Sequence, residues 1–147
     1  MKMAGEPIVI RVAGEPVAKG RPRVTRQGFA YTPAKTRKYE AHVRLAAQMA
    51  MKGRPPLAGP VACDVLAVMK IPVSFSKKKT ADAIAGKLLP AKRPDLDNLV
   101  KAATDACNSI VFLDDSQVVS QNSLKRYGTT PQLVITVRDL NVENAQP

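Results

Sequence analysis

The sequence predicts a mixed α/β (α+β) domain, with a small mixed β-sheet packed against helices. Three observations carry this. Two β-branched runs, Ile8–Val12 and Val61–Ile71, read as strands. Two segments, from Thr32-Pro33 to about Lys52 and Asp95–Ser109, place apolar residues at helical spacing. The predicted elements follow the order β, α, β, α, α, β, β, which fits one sheet with helices laid on it.

In chain order, Ile8–Val12 alternates apolar and polar positions and ends at Gly14-Glu15-Pro16. A turn-rich basic segment follows, Lys19-Gly20-Arg21-Pro22-Arg23 and then Arg26-Gln27-Gly28, expected as a hairpin or loop. Thr32 and Pro33 make a helix start, a capping hydroxyl followed by proline at the first helical position. Tyr39, Val43, Ala46, Ala47 and Ala50 recur as its apolar face, and Gly53 with Pro55-Pro56 ends it. Met49 and Met51 are expected to pack, and His42 to lie at the surface. Tyr31 and Tyr39 either pack under the basic loop or touch a ligand. Thr80–Lys87 suits a short helix, and Val118–Tyr127 and Leu133–Val137 two further strands. The expected core runs from about residue 8 to 137, within a single domain, with a polar tail at 141–147.

Length and composition bound the class. A chain of 147 residues with 45% hydrophobic content suffices for one domain with a real core, which argues against disorder. No apolar run approaches the roughly 18 residues that would span a bilayer, and the first ten residues lack a secretory signal, so a cytoplasmic location is expected. Two cysteines, Cys63 and Cys107, are too few for a disulfide scaffold and are expected as buried thiols.

Charge supplies the first functional clue. The net charge is +11, which favours a polyanionic partner through phosphate neutralisation and counterion release. Nucleic acid is the leading partner, ahead of an anionic membrane surface, for which a basic amphipathic helix is lacking. The charge is unevenly spread: residues 1–94 carry 19 basic and 5 acidic side chains, whereas residues 95–147 carry 4 basic and 7 acidic ones. Five aspartates, Asp95, Asp97, Asp105, Asp114 and Asp115, fall within 21 positions. Phosphate binding alone gains nothing from such an acidic focus. Phosphate binding combined with a divalent cation requires one.

Pro94 leads into Asp95, expected to cap a helix, and Asp97 in its first turn. Positions 97, 101 and 105 are i+4 steps, so Asp97, Lys101 and Asp105 form one polar stripe, with Leu99, Ala103 and Ala106 toward the core. Asp114-Asp115 lies between two apolar runs, hence at a turn. If the chain folds back, Asp115 joins Asp95 and Asp97. Like charges at about 4 Å cost on the order of 4 kcal/mol per pair at an effective dielectric near 20, and Mg²⁺ or Mn²⁺ relieves that repulsion. The bland alternatives are helix N-terminal acids, a solvated salt-bridge ladder and turn residues.

Residues 93–119, RPDLDNLVKAATDACNSIVFLDDSQVV, closely resemble the RusA family of Holliday-junction endonucleases, in its phage and prophage branch. The shared pattern is D-x-D-N-x-x-K followed by D-D-x-Q-V: Asp95, Asp97, Asn98 and Lys101, then Asp114, Asp115, Gln117 and Val118. GEPVAKGRPR and YTPAKTRKYE extend the likeness over most of residues 8–137. The resemblance implies a homodimeric, Mg²⁺-dependent nuclease, with Mn²⁺ as a substitute and no organic cofactor, that cuts a four-way DNA junction in paired fashion. It implies Asp95, Asp97 and Asp115 as metal ligands and catalytic groups, with Lys101 assisting near the scissile phosphate. The spacer between Asp105 and the aspartate pair is one residue shorter than in the enterobacterial type, so Asp114 stands as an alternative ligand. Lys19, Arg21, Arg23, Arg26, Lys77, Lys78 and Lys79 are the expected contacts to DNA backbones. Phe75 is either a wedge into the junction or a core residue. The competing functions are a branched-DNA or flap nuclease of broader specificity and a non-catalytic basic nucleic-acid-binding protein.

Overall fold

The computed structural model describes residues 5–18, 23–31 and 34–141. Its elements are β1 (Ile8–Ala13), β2 (Arg23–Val24), β3 (Ala30–Tyr31), α1 (Ala34–Met51), β4 (Val61–Lys70), α2 (Lys77–Ile84), α3 (Leu96–Cys107), β5 (Val118–Ser120), β6 (Leu124–Gly128) and β7 (Gln132–Asp139). A 3-10 turn at Asp115–Gln117 precedes β5. The expected mixed α/β architecture is the one observed. The main sheet has five strands, ordered β1-β7-β4, with β5 and β6 both on the far side of β4. β1 pairs antiparallel with β7, and β7 antiparallel with β4, whereas β5 and β6 run parallel to β4. β2 and β3 form a separate hairpin.

The local patterns explain most elements. β1 buries Ile8, Ile10 and Val12 and exposes the residues between them, the alternation that period-two side chains impose on an edge strand. β4 is central and buried along nearly its whole length, so it reads as a continuous apolar run. α1 buries Thr36, Tyr39, Val43, Ala47 and Met51, one stripe at helical spacing. α3 buries Leu99, Ala102, Ala103 and Ala106 and packs on α1, where the small alanines allow close approach. The expected start of α1, Thr32-Pro33, lies outside the described residues.

Three expectations are corrected. Val118–Tyr127 is not one strand: it breaks at residues 121–123, between β5 and β6. Side chains replace the ladder there. The Asn122 amide donates to Asp64 Oδ1 at 2.9 Å, and the Val65 amide to Ser123 Oγ at 3.2 Å. The short helix begins at Lys77 rather than Thr80, because Ser76 caps it, its Oγ accepting from the Lys79 amide at 3.1 Å. Met49 is 70% exposed, whereas Met51 is buried as expected.

Tyr39 is a core residue and not a ligand contact. Burial pushes its phenol up to about 12, and the nearby Val17 backbone partly opposes the shift. Cys63 and Cys107 are buried free thiols. Burial, with a smaller push from Asp64, moves the Cys63 thiol up to about 12. Among the described residues no helix is long and apolar enough to cross a membrane.

Candidate active site

The two acidic segments come from α3 and from the 3-10 turn, and these elements pack against each other. The chain enters α3 through Lys92-Arg93-Pro94, where the Arg93–Pro94 peptide is cis. Lys125, on β6, holds this entry. Its Nζ donates to Lys92 O at 2.7 Å and to Pro94 O at 2.8 Å. Since β6 pairs with β4, the start of α3 is tied to the central strand. Sequence reading missed Lys125, because 31 residues separate it from Pro94 and no local pattern marks the contact.

Asp95 occupies the N-cap position of α3, but its side chain makes no capping hydrogen bond. The capping role expected of it is therefore not the one observed. Its carboxylate is exposed and uncommitted among the described residues, beside the partial positive charge of a helix start. Asp97 is exposed in the first turn, and its Oδ1 accepts from the Asn98 amide at 3.0 Å. Farther along the stripe, Lys101 pairs with Asp105 at 3.6 Å. The Lys101 side chain is 62% exposed, so this pair holds it loosely and leaves its ammonium group within reach of a ligand.

The second acidic segment is set by a buried hinge. After α3, Ser109 takes a left-handed φ of 66° and its amide donates to Phe112 O at 2.8 Å. Val111 and Phe112 are fully buried, and the Leu57 amide donates to Val111 O at 2.8 Å. The chain emerges at Asp114, which caps the 3-10 turn. Asp114 Oδ2 accepts from the Ser116 amide at 3.0 Å, while Gln117 Oε1 accepts from the Asp114 amide at 2.9 Å. This is a reciprocal capping box. The hydrogen bonds from Ser116 hold the Asp114 carboxyl below its usual range. Asp114 thus has a structural task. Asp115 is half-buried, and its side chain makes no hydrogen bond or ion pair among the described residues.

Gln117 also anchors the turn to the preceding loop, its Nε2 donating to Leu57 O at 2.8 Å and Gly59 O at 2.9 Å. Three hydrogen bonds thus meet on one half-buried amide. Gln117→Leu is expected to lower stability by roughly 2–3 kcal/mol, since each bond contributes about 1 kcal/mol and two carbonyls lose their partner. Urea unfolding of the two proteins measures the difference.

The expected convergence of Asp95, Asp97 and Asp115 is not formed. Among the described residues no three His, Cys, Asp or Glu side chains are grouped so that they could hold a metal ion. The donor chemistry fits a hard divalent cation, because the set offers carboxylate oxygens and no soft ligand. Asp95 and Asp97 are exposed, and Asp115 is half-buried.

The basic residues divide into three groups. Lys19 and Arg21 lie outside the described residues. Arg23 falls in β2 and Arg26 is exposed in the turn joining β2 to β3. That turn is closed by bonds from the Thr25 amide to Phe29 O at 2.8 Å and the Gly28 amide to Thr25 O at 2.9 Å. Phe29 is 70% exposed beside it. Lys77, Lys78 and Lys79 fill the first turn of α2 and are exposed. Cations at a helix N-terminus oppose the macrodipole, each at a cost of about 0.3–1 kcal/mol. Lys77 and Lys78 make no contact there that offsets this cost among the described residues, which favours a ligand-binding purpose for them. Phe75 is a packing residue: it meets Tyr127 edge to face at 5.6 Å, with Lys79 Nζ 5.4 Å from its ring centre.

Two comparisons with known proteins bear on this arrangement. Residues 13–138 match the family model described as Endodeoxyribonuclease RusA. Across 141 residues the chain is 40% identical to "Uncharacterized protein YqaN" of Bacillus subtilis (strain 168), covering 91% of this chain and 97% of that protein.

Proposed function

The chain belongs to the RusA endodeoxyribonuclease family, and on that premise we propose that it resolves four-way DNA junctions by Mg²⁺-dependent, paired phosphodiester hydrolysis. The observation that supports the proposal is the pair of carboxylates, Asp95 and Asp115, uncommitted among the described residues and carried at the start of α3 and in the 3-10 turn, two elements that pack together. Asp95, Asp97 and Asp115 would hold the cation. When bound, it supplies Lewis-acid polarisation of the phosphate and a bound water of lowered pKa.

The protein's own groups do the rest. Lys101, one helical turn beyond Asp97, stands ready to neutralise charge on the phosphoryl oxygens. Asp114 and Gln117 fix the backbone that carries Asp115. Lys77, Lys78 and Arg26 hold the DNA arms through their phosphates, which positions the substrate without reading bases. A second copy of the chain, related by two-fold symmetry, would present the second site that paired cutting needs.

The direct test is cleavage of a synthetic mobile four-way junction, alongside flap and linear duplex substrates, with and without Mg²⁺. Symmetric nicks on opposing strands, confined to the junction and dependent on the cation, are expected. Equal cutting of flaps would indicate the broader nuclease, and no cutting a binding protein. The grip on phosphates has its own test. The double variant Lys77→Ala/Lys78→Ala is expected to bind junction DNA more weakly, with the slope of log K against log salt reduced by up to about 1.8, near 0.9 per phosphate contact. Its thermal stability should hold or rise, because both changes relieve the unfavourable helix-dipole term.

A further inference from the structure

A cleft of about 390 Å³ opens beside the start of α3. That volume lies within the range of about 300–1,000 Å³ usual for small-molecule sites. Its floor includes Met69 and Tyr127, both buried, and its rim includes Lys70, Lys92 and Arg93. Arg93 is two residues before Asp95, so the cleft adjoins the candidate catalytic segment. One lining residue runs against the basic character: Glu15. Its Oε2 accepts from the Lys70 amide at 3.0 Å. The preceding Gly14, at a φ of 99°, donates its amide to Pro131 O at 3.0 Å, which fixes the backbone that presents Glu15.

A carboxylate in a phosphate-binding cleft works against affinity. It is useful when the guest carries a hydrogen-bond donor, and among DNA components the donors belong to bases. An apolar floor suits the face of a base, a cationic rim suits the phosphate attached to it, and an acceptor suits an exocyclic amino group. We propose that this cleft takes up an unstacked base next to the scissile phosphate, and that Glu15 favours a base bearing an exocyclic amino group over thymine, whose one donor is the ring N3–H. The cost of unstacking is least where pairing is already interrupted, as at the crossing point of a junction. The inference rests on the nuclease reading for its location and adds to it a residue that determines sequence preference.

Glu15→Gln isolates the claim. The variant keeps an acceptor for the Lys70 amide and replaces the other carboxylate oxygen with a donor. Wild-type protein is expected to bind junctions with thymine at the crossing point about tenfold more weakly than those with adenine, cytosine or guanine there, the size of one charge-assisted hydrogen bond. Fluorescence anisotropy in EDTA measures this without catalysis. The variant should lose at least most of that discrimination while retaining affinity for thymine junctions. Mapping cleavage on a junction of mixed sequence should show the same shift in cut positions. Base-independent binding by the wild type, unchanged preference in Glu15→Gln, or equal binding when the base is replaced by an abasic site would each overturn the proposal. Base discrimination without cleavage would leave the cleft assignment standing and remove the nuclease reading instead.

Discussion

Replacing Asp97 with asparagine is expected to lower junction cleavage by on the order of a thousandfold or more, the scale of several kcal/mol of lost transition-state stabilisation. Asn is nearly isosteric with Asp. Its amide oxygen can still accept from the Asn98 amide, the one hydrogen bond of the Asp97 side chain among the described residues, so the first turn of α3 should survive. What disappears is a negative ligand for the cation. Junction affinity in EDTA should hold or rise, because a charge that repels phosphate has gone. Single-turnover cleavage at saturating protein separates the rate from binding. Undiminished cutting by the variant would remove Asp97 from the catalytic set, and loss of binding in parallel would point to a folding defect.

Phe112→Ala is expected to have the largest effect on stability, about 3–5 kcal/mol. Phe112 is among the largest fully buried side chains and sits on the segment that leads from α3 to the 3-10 turn. Its removal forfeits apolar burial and leaves a cavity that the surrounding sheet and helices can fill only in part. For a domain of this size, total stability is about 5–15 kcal/mol, so the melting temperature should fall by roughly 10 °C or more. The loss has a local component too. The buried ring also anchors the residue whose carbonyl accepts from the Ser109 amide, the bond that closes the bend before Asp114 and Asp115. Cleavage should therefore fall further than the fraction of unfolded protein explains, even at 15 °C where the variant remains folded. Calorimetry and cleavage assays on the same samples make the comparison. Phe112→Leu should recover most of both losses.

Much of the scaffold was legible because its elements obey local rules. The period-two run of β1 and the helical stripe Tyr39, Val43, Ala47 state which side faces inward. What escaped depends on partners distant in sequence or on competition between local signals. At α2, the Ser76 hydroxyl and three lysines give opposite advice about where a helix begins, and the cap prevails. The break between β5 and β6 depends on Asp64 and Ser123, 59 positions apart, acting as substitutes for main-chain partners. For the candidate site, the aspartates were visible as a set, and their separate tasks were not. Asp114-Asp115-Ser116-Gln117 has an acidic cap and a glutamine three residues on, the capping-box spacing that marks Asp114 as structural. That signal was present in the sequence, but in an acid-rich segment it reads equally as a ligand pair. Asp95 shows the reverse: a capping residue by position whose side chain does not cap.

The amine of Lys125 directs two of its hydrogens at main-chain carbonyls. Formal charge counts it with the cations that attract DNA, yet its mechanical duty is that of a rivet between the sheet and the approach to α3. Anyone trimming surface charge to curb off-target adhesion to nucleic acid should therefore begin with Lys77 and Lys78 and leave position 125 intact, since neutralising it would loosen the mounting of Asp95 along with the charge.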